Sequence, residues 1–123
     1  MNKIALLSGI GFCAFSIVLG AFGAHGLKDK LSDYSMSVFN TGVLYQFFHA
    51  IGIIIAVILD FSNSDLILNS AVWCFIAGIF LFSGSLYMLA ITDIKWLGII
   101  TPIGGVLFIA GWVLMFMKVL KLN

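Results

Sequence analysis

Four apolar stretches, at residues 4–24, 38–59, 66–91 and 96–117, take up most of this 123-residue chain and leave it few folds to choose from. Each is long enough to cross a hydrocarbon core of about 30 Å, which takes roughly 20 helical residues. Lipid offers no water to backbone N–H and C=O groups, so such a segment must satisfy them internally, as a helix. Composition agrees. The chain is 63% hydrophobic and only 9% charged, whereas soluble domains are roughly half apolar and a quarter charged. Mean hydropathy is +1.21. The expectation is an all-α membrane protein: an antiparallel four-helix transmembrane bundle forming a single integral membrane domain over residues 1–123.

The connections are short. The stretch "HGLKDKLSDYSMS" (25–37) spaces Leu27, Leu31 and Tyr34 at i, i+4 and i+7, with charges between them. That pattern predicts a short amphipathic segment at the interface between the first two helices. "DFSNSD" (60–65) reads as a polar turn, and "TDIK" (92–95) as a tight hairpin connection. The first apolar stretch is too long for a signal-peptide core of about 7–15 residues, so it reads as a retained helix. Trp73, Tyr87 and Trp96 fall toward span ends, where amphipathic rings settle.

Charge excludes several functions. The formal net charge is +1, and the six cations are all lysines. This is no basic footprint for nucleic acid, and there are no guanidinium forks for phosphate. The five acids are all aspartates in predicted loops, with no glutamate in the chain. An exporter built on a membrane-embedded carboxylate is therefore not expected. Cys13 and Cys74 sit in apolar runs without metal-ligand spacing, which suits inert packing thiols. His25 and His49 differ in expected depth by roughly half a membrane at 1.5 Å rise per residue, so a shared metal is not expected. No catalytic constellation, metal site or cofactor motif emerges. The lysines divide evenly, with Lys3, Lys118 and Lys121 at one end and Lys28, Lys30 and Lys95 at the other. The positive-inside rule is thus tied. Both termini are expected in the cytoplasm because the C-terminal lysines are the least neutralised, with dual topology as the alternative that the tie leaves open.

Helices in lipid gain nothing from burying apolar surface against one another, so contact faces show up as small or polar seams. Gly9, Cys13, Ser16, Gly20 and Gly23 trace one stripe of the first helix. Gly42, Tyr45, Gln46, His49, Gly52 and Ala56 trace one face of the second. Gly78, Ser83, Gly84 and Ser85 mark the third, and Gly98, Thr101, Gly104, Gly105 and Gly111 the fourth. Pro102 either kinks a continuous fourth helix or starts a shorter one. The apolar character of residues 94–100 favours the kink.

Gln46 and His49 fall near the middle of the second span, where polar groups are costly unless partnered. An imidazolium is disfavoured in hydrocarbon, so neutral His49 is expected. Both side chains are predicted to face the interior. Ser16, Tyr45, Ser83, Ser85 and Thr101 are candidate partners, and His25 is a further polar candidate near the interface. Together Tyr45, Gln46, His49, Ser83, Ser85, Thr101 and His25 form the candidate ligand-binding or polar cluster; its favoured reading is a set of interhelical hydrogen bonds that fix the bundle's register, and the alternative is a functional site around His49.

Four ordered stretches, "LGAFGAHGL" (19–27), "YQFFHA" (45–50), "FSGSLYMLA" (82–90) and "TPIGGVLFIAGW" (101–112), closely resemble domain-of-unknown-function family 423. The resemblance implies a four-helix protein of the bacterial cytoplasmic (inner) membrane with both termini inside, and it carries no catalytic residues. Three classes of function fit the sequence. The favoured one is a non-enzymatic protein that binds a lipid or small hydrophobic ligand, or assembles with itself or another membrane protein. The second is a small oligomeric transporter or channel with a polar seam around Gln46 and His49. The third, a membrane enzyme, lacks a constellation to support it. Membrane lipids are the expected partners.

Overall fold

The computed structural model describes residues 2–63 and 66–122, and among these every regular element is helical. The first span is α1 (Asn2–Phe22), prolonged by a π-helical turn at Gly23–Leu27. The second is α2 (Asp33–Ser62). The third joins α3 (Asn69–Gly78) to α4 (Ser85–Thr92) through a π-helical stretch at Ile79–Gly84. The fourth is α5 (Thr101–Leu120), preceded by a 3-10 turn at Lys95–Ile99. All four spans are long and apolar enough to cross a membrane.

The ends explain where the spans begin and stop. Ser32 caps α2, its Oγ accepting the Ser35 N–H at 3.1 Å, and Asp33 adds a negative charge to the first turn. This cap redraws the expected interfacial segment. Residues 25–27 finish the first span and residues 33–37 open the second, leaving a turn of only Lys28–Ser32 between them. At the other end α2 runs on through Ser62, so Asp60 lies in its last turn rather than in a loop. Asp60 Oδ1 accepts the Leu68 N–H at 3.2 Å and so stabilises the start of α3. Of the polar turn expected at 60–65, residues 64 and 65 lie outside the described residues. Asp93 ends α4 in a left-handed conformation (φ 56°), and its N–H donates to the Leu89 carbonyl at 2.9 Å.

Pro102 settles differently from the expected kink. The α-helix proper starts at Thr101, which puts the proline in the first turn, where its missing N–H costs no hydrogen bond. The apolar residues before it are accommodated by the 3-10 turn, with Leu97 buried.

Contacts fix the order of packing. Gly9 lies against Ala50 and Ile53, Gly20 against Val43, and Gly23 against Phe39, so α1 and α2 run in opposite directions. Gly42 meets Ser83 and Tyr87 while Gly52 meets Phe75, so α2 and the third span also run in opposite directions. Gly78 meets Phe108, and Gly111 meets Phe75. A Cβ on Gly104 would overlap the Leu81 and Phe82 backbone, so α5 and the third span approach almost to backbone contact there. The middle spans are the most enclosed, with 44% and 39% of their apolar windows buried, against 17% for the first span and 22% for the last. Large side chains such as Ile17, Ile55, Phe80, Ile109 and Phe116 turn outward.

Candidate functional site

Gln46 occupies the junction of three spans. It is 2% exposed, its Nε2 donates to the Phe12 carbonyl of α1 at 3.0 Å, and its Oε1 accepts the Tyr87 hydroxyl of α4 at 2.7 Å. Ser16 Oγ donates to the same Phe12 carbonyl at 2.7 Å. An amide is suited to this place because it can donate to one span and accept from another. Gly42, one turn earlier on α2, makes room for the Tyr87 ring. Tyr87, expected from sequence toward a membrane interface, instead turns its hydroxyl inward to this bridge. Ser83 Oγ lies beside that hydroxyl but outside hydrogen-bond geometry.

His49 lies three residues from Gln46 and belongs to a different environment. The expected polar partners on other helices are not there. Its Nδ1 is 2.7 Å from the Tyr45 carbonyl of its own helix. Its ring stacks on Phe108 of α5, with centroids 3.5 Å apart and planes 8° from parallel. Phe75, Tyr45 and Trp112 complete an aromatic surround at 5.5, 6.0 and 6.0 Å. Ser83 Oγ is the one fully enclosed side-chain N or O without a hydrogen bond among the described residues. His49 Nε2 also has no hydrogen-bond partner among them, and the residue is only 6% exposed. Tyr45 and Trp112 flank it on the lipid side, and neither the Tyr45 hydroxyl nor the Trp112 N–H makes a hydrogen bond among the described residues.

A third polar pair clamps the last two spans. Ser85 Oγ and Thr101 Oγ1 are 2.6 Å apart, and Ser85 Oγ also donates to the Phe82 carbonyl at 2.9 Å. His25 sits exposed in the π turn, far along the chain from these groups. The sequence-predicted residues therefore resolve into a bridge (Gln46, with Ser83 beside it), a clamp (Ser85, Thr101) and an aromatic seam (Tyr45, His49), with His25 apart. Sequence reasoning passed over Phe12, Phe75, Phe108 and Trp112. The one signal for the last two was their i, i+4 spacing on α5, which puts both rings on one face.

Four apolar spans, joined through glycine contacts and tied inside by paired polar side chains, define a small multi-pass membrane protein. The family described as "Protein of unknown function (DUF423)" matches residues 19–105. A UPF0382 membrane protein of Staphylococcus haemolyticus is 46% identical over 119 residues, covering 97% of each chain. The UPF0382 membrane protein YwdK of Bacillus subtilis is 42% identical over 120 residues, 97% of this chain and 98% of that one. The chain belongs to the DUF423 family. No solved structure matches it.

Proposed function

We propose that this is a non-enzymatic membrane protein that takes a small hydrophobic molecule from the lipid phase and holds it at the seam between α2 and α5, against Tyr45, His49 and Trp112. The observation that carries this reading is His49 Nε2, which has no hydrogen-bond partner among the described residues near the middle of a span and whose ring lies beside the exposed rings of Tyr45 and Trp112. Gln46, Ser85 and Thr101 already have partners and serve to fasten the spans. The groups left over at the seam are polar atoms set in an aromatic wall, the usual make-up of a small-molecule site. A polar group left bare in hydrocarbon is costly, and a bound molecule offsets that cost.

Native mass spectrometry on protein released from its own membrane tests this. A retained small molecule should be present in the natural chain and in Ser85→Ala, and lost from Trp112→Ala. Finding only bulk phospholipid, or equal retention by Trp112→Ala, refutes the reading.

We assign the protein to the bacterial cytoplasmic membrane with both termini inside. By sequence, three lysines (Lys3, Lys118 and Lys121) belong to one end with two aspartates (Asp60 and Asp65), whereas Lys28, Lys30 and Lys95 at the other are matched in number by Asp29, Asp33 and Asp93. Lys95 Nζ is 2.9 Å from Asp93 Oδ1. A cysteine replacing Lys121 should resist a membrane-impermeant thiol reagent in intact cells and react after lysis. Labelling in intact cells reverses the assignment.

A further inference from the structure

We infer that the molecule held at the α2–α5 seam must bring a hydrogen-bond donor, and that its class is a lipophilic hydroxyl compound, an alcohol or phenol, rather than a ketone, ester or ether. The inference rests on the site reading above and adds the chemistry of the group recognised. A carbonyl oxygen can only accept, so the 2.7 Å contact between Nδ1 and the Tyr45 carbonyl requires the proton to be on Nδ1. A neutral imidazole carries one N–H, which leaves Nε2 as a bare lone pair. Only an incoming O–H or N–H can satisfy it. An amine would enter the membrane as a hydrated cation, whereas a hydroxyl partitions neutral.

The ring cannot trade its two nitrogens cheaply. Turning it over would break the bond to the Tyr45 carbonyl, and Phe108, stacked within 8° of parallel, holds the ring plane. The direction of the lone pair is thus fixed by its surroundings. Tyr45 and Trp112, whose ring centroids each lie 6.0 Å from the imidazole, carry a hydroxyl and an N–H that have no partner among the described residues. A ligand hydroxyl matches both demands: its hydrogen goes to Nε2 and its oxygen accepts from a flanking donor. A carbonyl or ether oxygen meets only the second and leaves Nε2 bare. The aromatic walls of Tyr45, Phe108 and Trp112 favour a flat apolar body next to that hydroxyl.

The test compares para-nonylphenol with its methyl ether on the full chain in lipid nanodiscs, with histidine labelled by the heavy nitrogen isotope. The phenol should bind about tenfold more tightly than the ether, the factor one hydrogen bond supplies. It should shift the Nε2 resonance of His49 and leave that of exposed His25 in place. In His49→Phe, which keeps a ring on Phe108, the two probes should bind alike. Equal affinities on the natural chain, or an Nε2 resonance of N–H type before ligand is added, overturn the donor inference and leave the seam a binding site. If neither probe binds, the seam reading falls and the inference with it.

Discussion

Replacing Gln46 with Leu keeps the volume of the side chain and removes the bridge between three spans, so its cost can be worked out bond by bond. Hydrogen bonds between membrane helices average about 0.6 kcal/mol each. Gln46→Leu loses two of them, to the Phe12 carbonyl and from the Tyr87 hydroxyl. It also leaves that hydroxyl without its acceptor, with Ser83 Oγ beside it but outside hydrogen-bond geometry, at about 1 kcal/mol more. The Phe12 carbonyl is not stranded, because Ser16 Oγ still donates to it. The single variant should therefore lose about 2 kcal/mol. Tyr87→Phe loses one bond and leaves Gln46 Oε1 without its donor, at about 1 kcal/mol. The double variant strands neither group and should be no worse than Gln46→Leu alone. Unfolding in mixed micelles of increasing denaturing detergent measures all four chains, and the predicted coupling is about 1–2 kcal/mol. Additivity within about 0.3 kcal/mol would show that Tyr87 and Gln46 do not depend on each other, and the bridge would be refuted.

Gly104→Ala should destabilise the bundle by about 1–3 kcal/mol because its Cβ meets backbone of the third span, whereas Gly84→Ala, with nothing nearer than 3.9 Å, should be close to neutral in the same assay. Spin labels replacing Gln46 and Ser85 should be shielded from a lipid-soluble relaxation agent, and labels replacing Ile55 and Phe80, 40% and 64% exposed, should be fully accessible. Equal accessibility would invert the assigned faces. Asp60→Ala removes the acceptor for the Leu68 N–H and should cost about 1 kcal/mol, with hydrogen exchange rising first at the start of α3. Faster exchange confined to the end of α2 would contradict that capping role.

The four spans were legible because apolar length is a strong signal and lipid leaves the backbone no alternative to helix. The first seam was legible for a related reason. Gly9, Ser16 and Gly23 recur at helical spacing, and only small residues let α2 approach so closely. The π turns were not legible, since neither "GAHGL" nor "IFLFSG" differs in pattern from ordinary helix. Nor was the separation of Gln46 from His49. Three residues advance a helix by nearly a full turn and leave the two side chains about 60° apart. That angle sends one toward α1 and Tyr87 and the other toward Phe108. Which ring lies opposite each depends on the sliding register of whole helices, and apolar sequence does not encode that. Pro102 was ambiguous in itself, because the same residue kinks a helix or begins one.

Two of the four rings that enclose His49 arrive late in synthesis. Phe108 and Trp112 both belong to the fourth span, while His49 and its Tyr45 carbonyl are already in place with the second. A nascent chain holding only the first three spans thus has its bridge, since Phe12, Gln46 and Tyr87 are all present, but not its aromatic seam. Insertion of α5 builds the seam and seals the third span through Gly104 in one step. The stacking of Phe108 on His49 and the Gly104 contact are therefore completed together, only once the fourth span is in place.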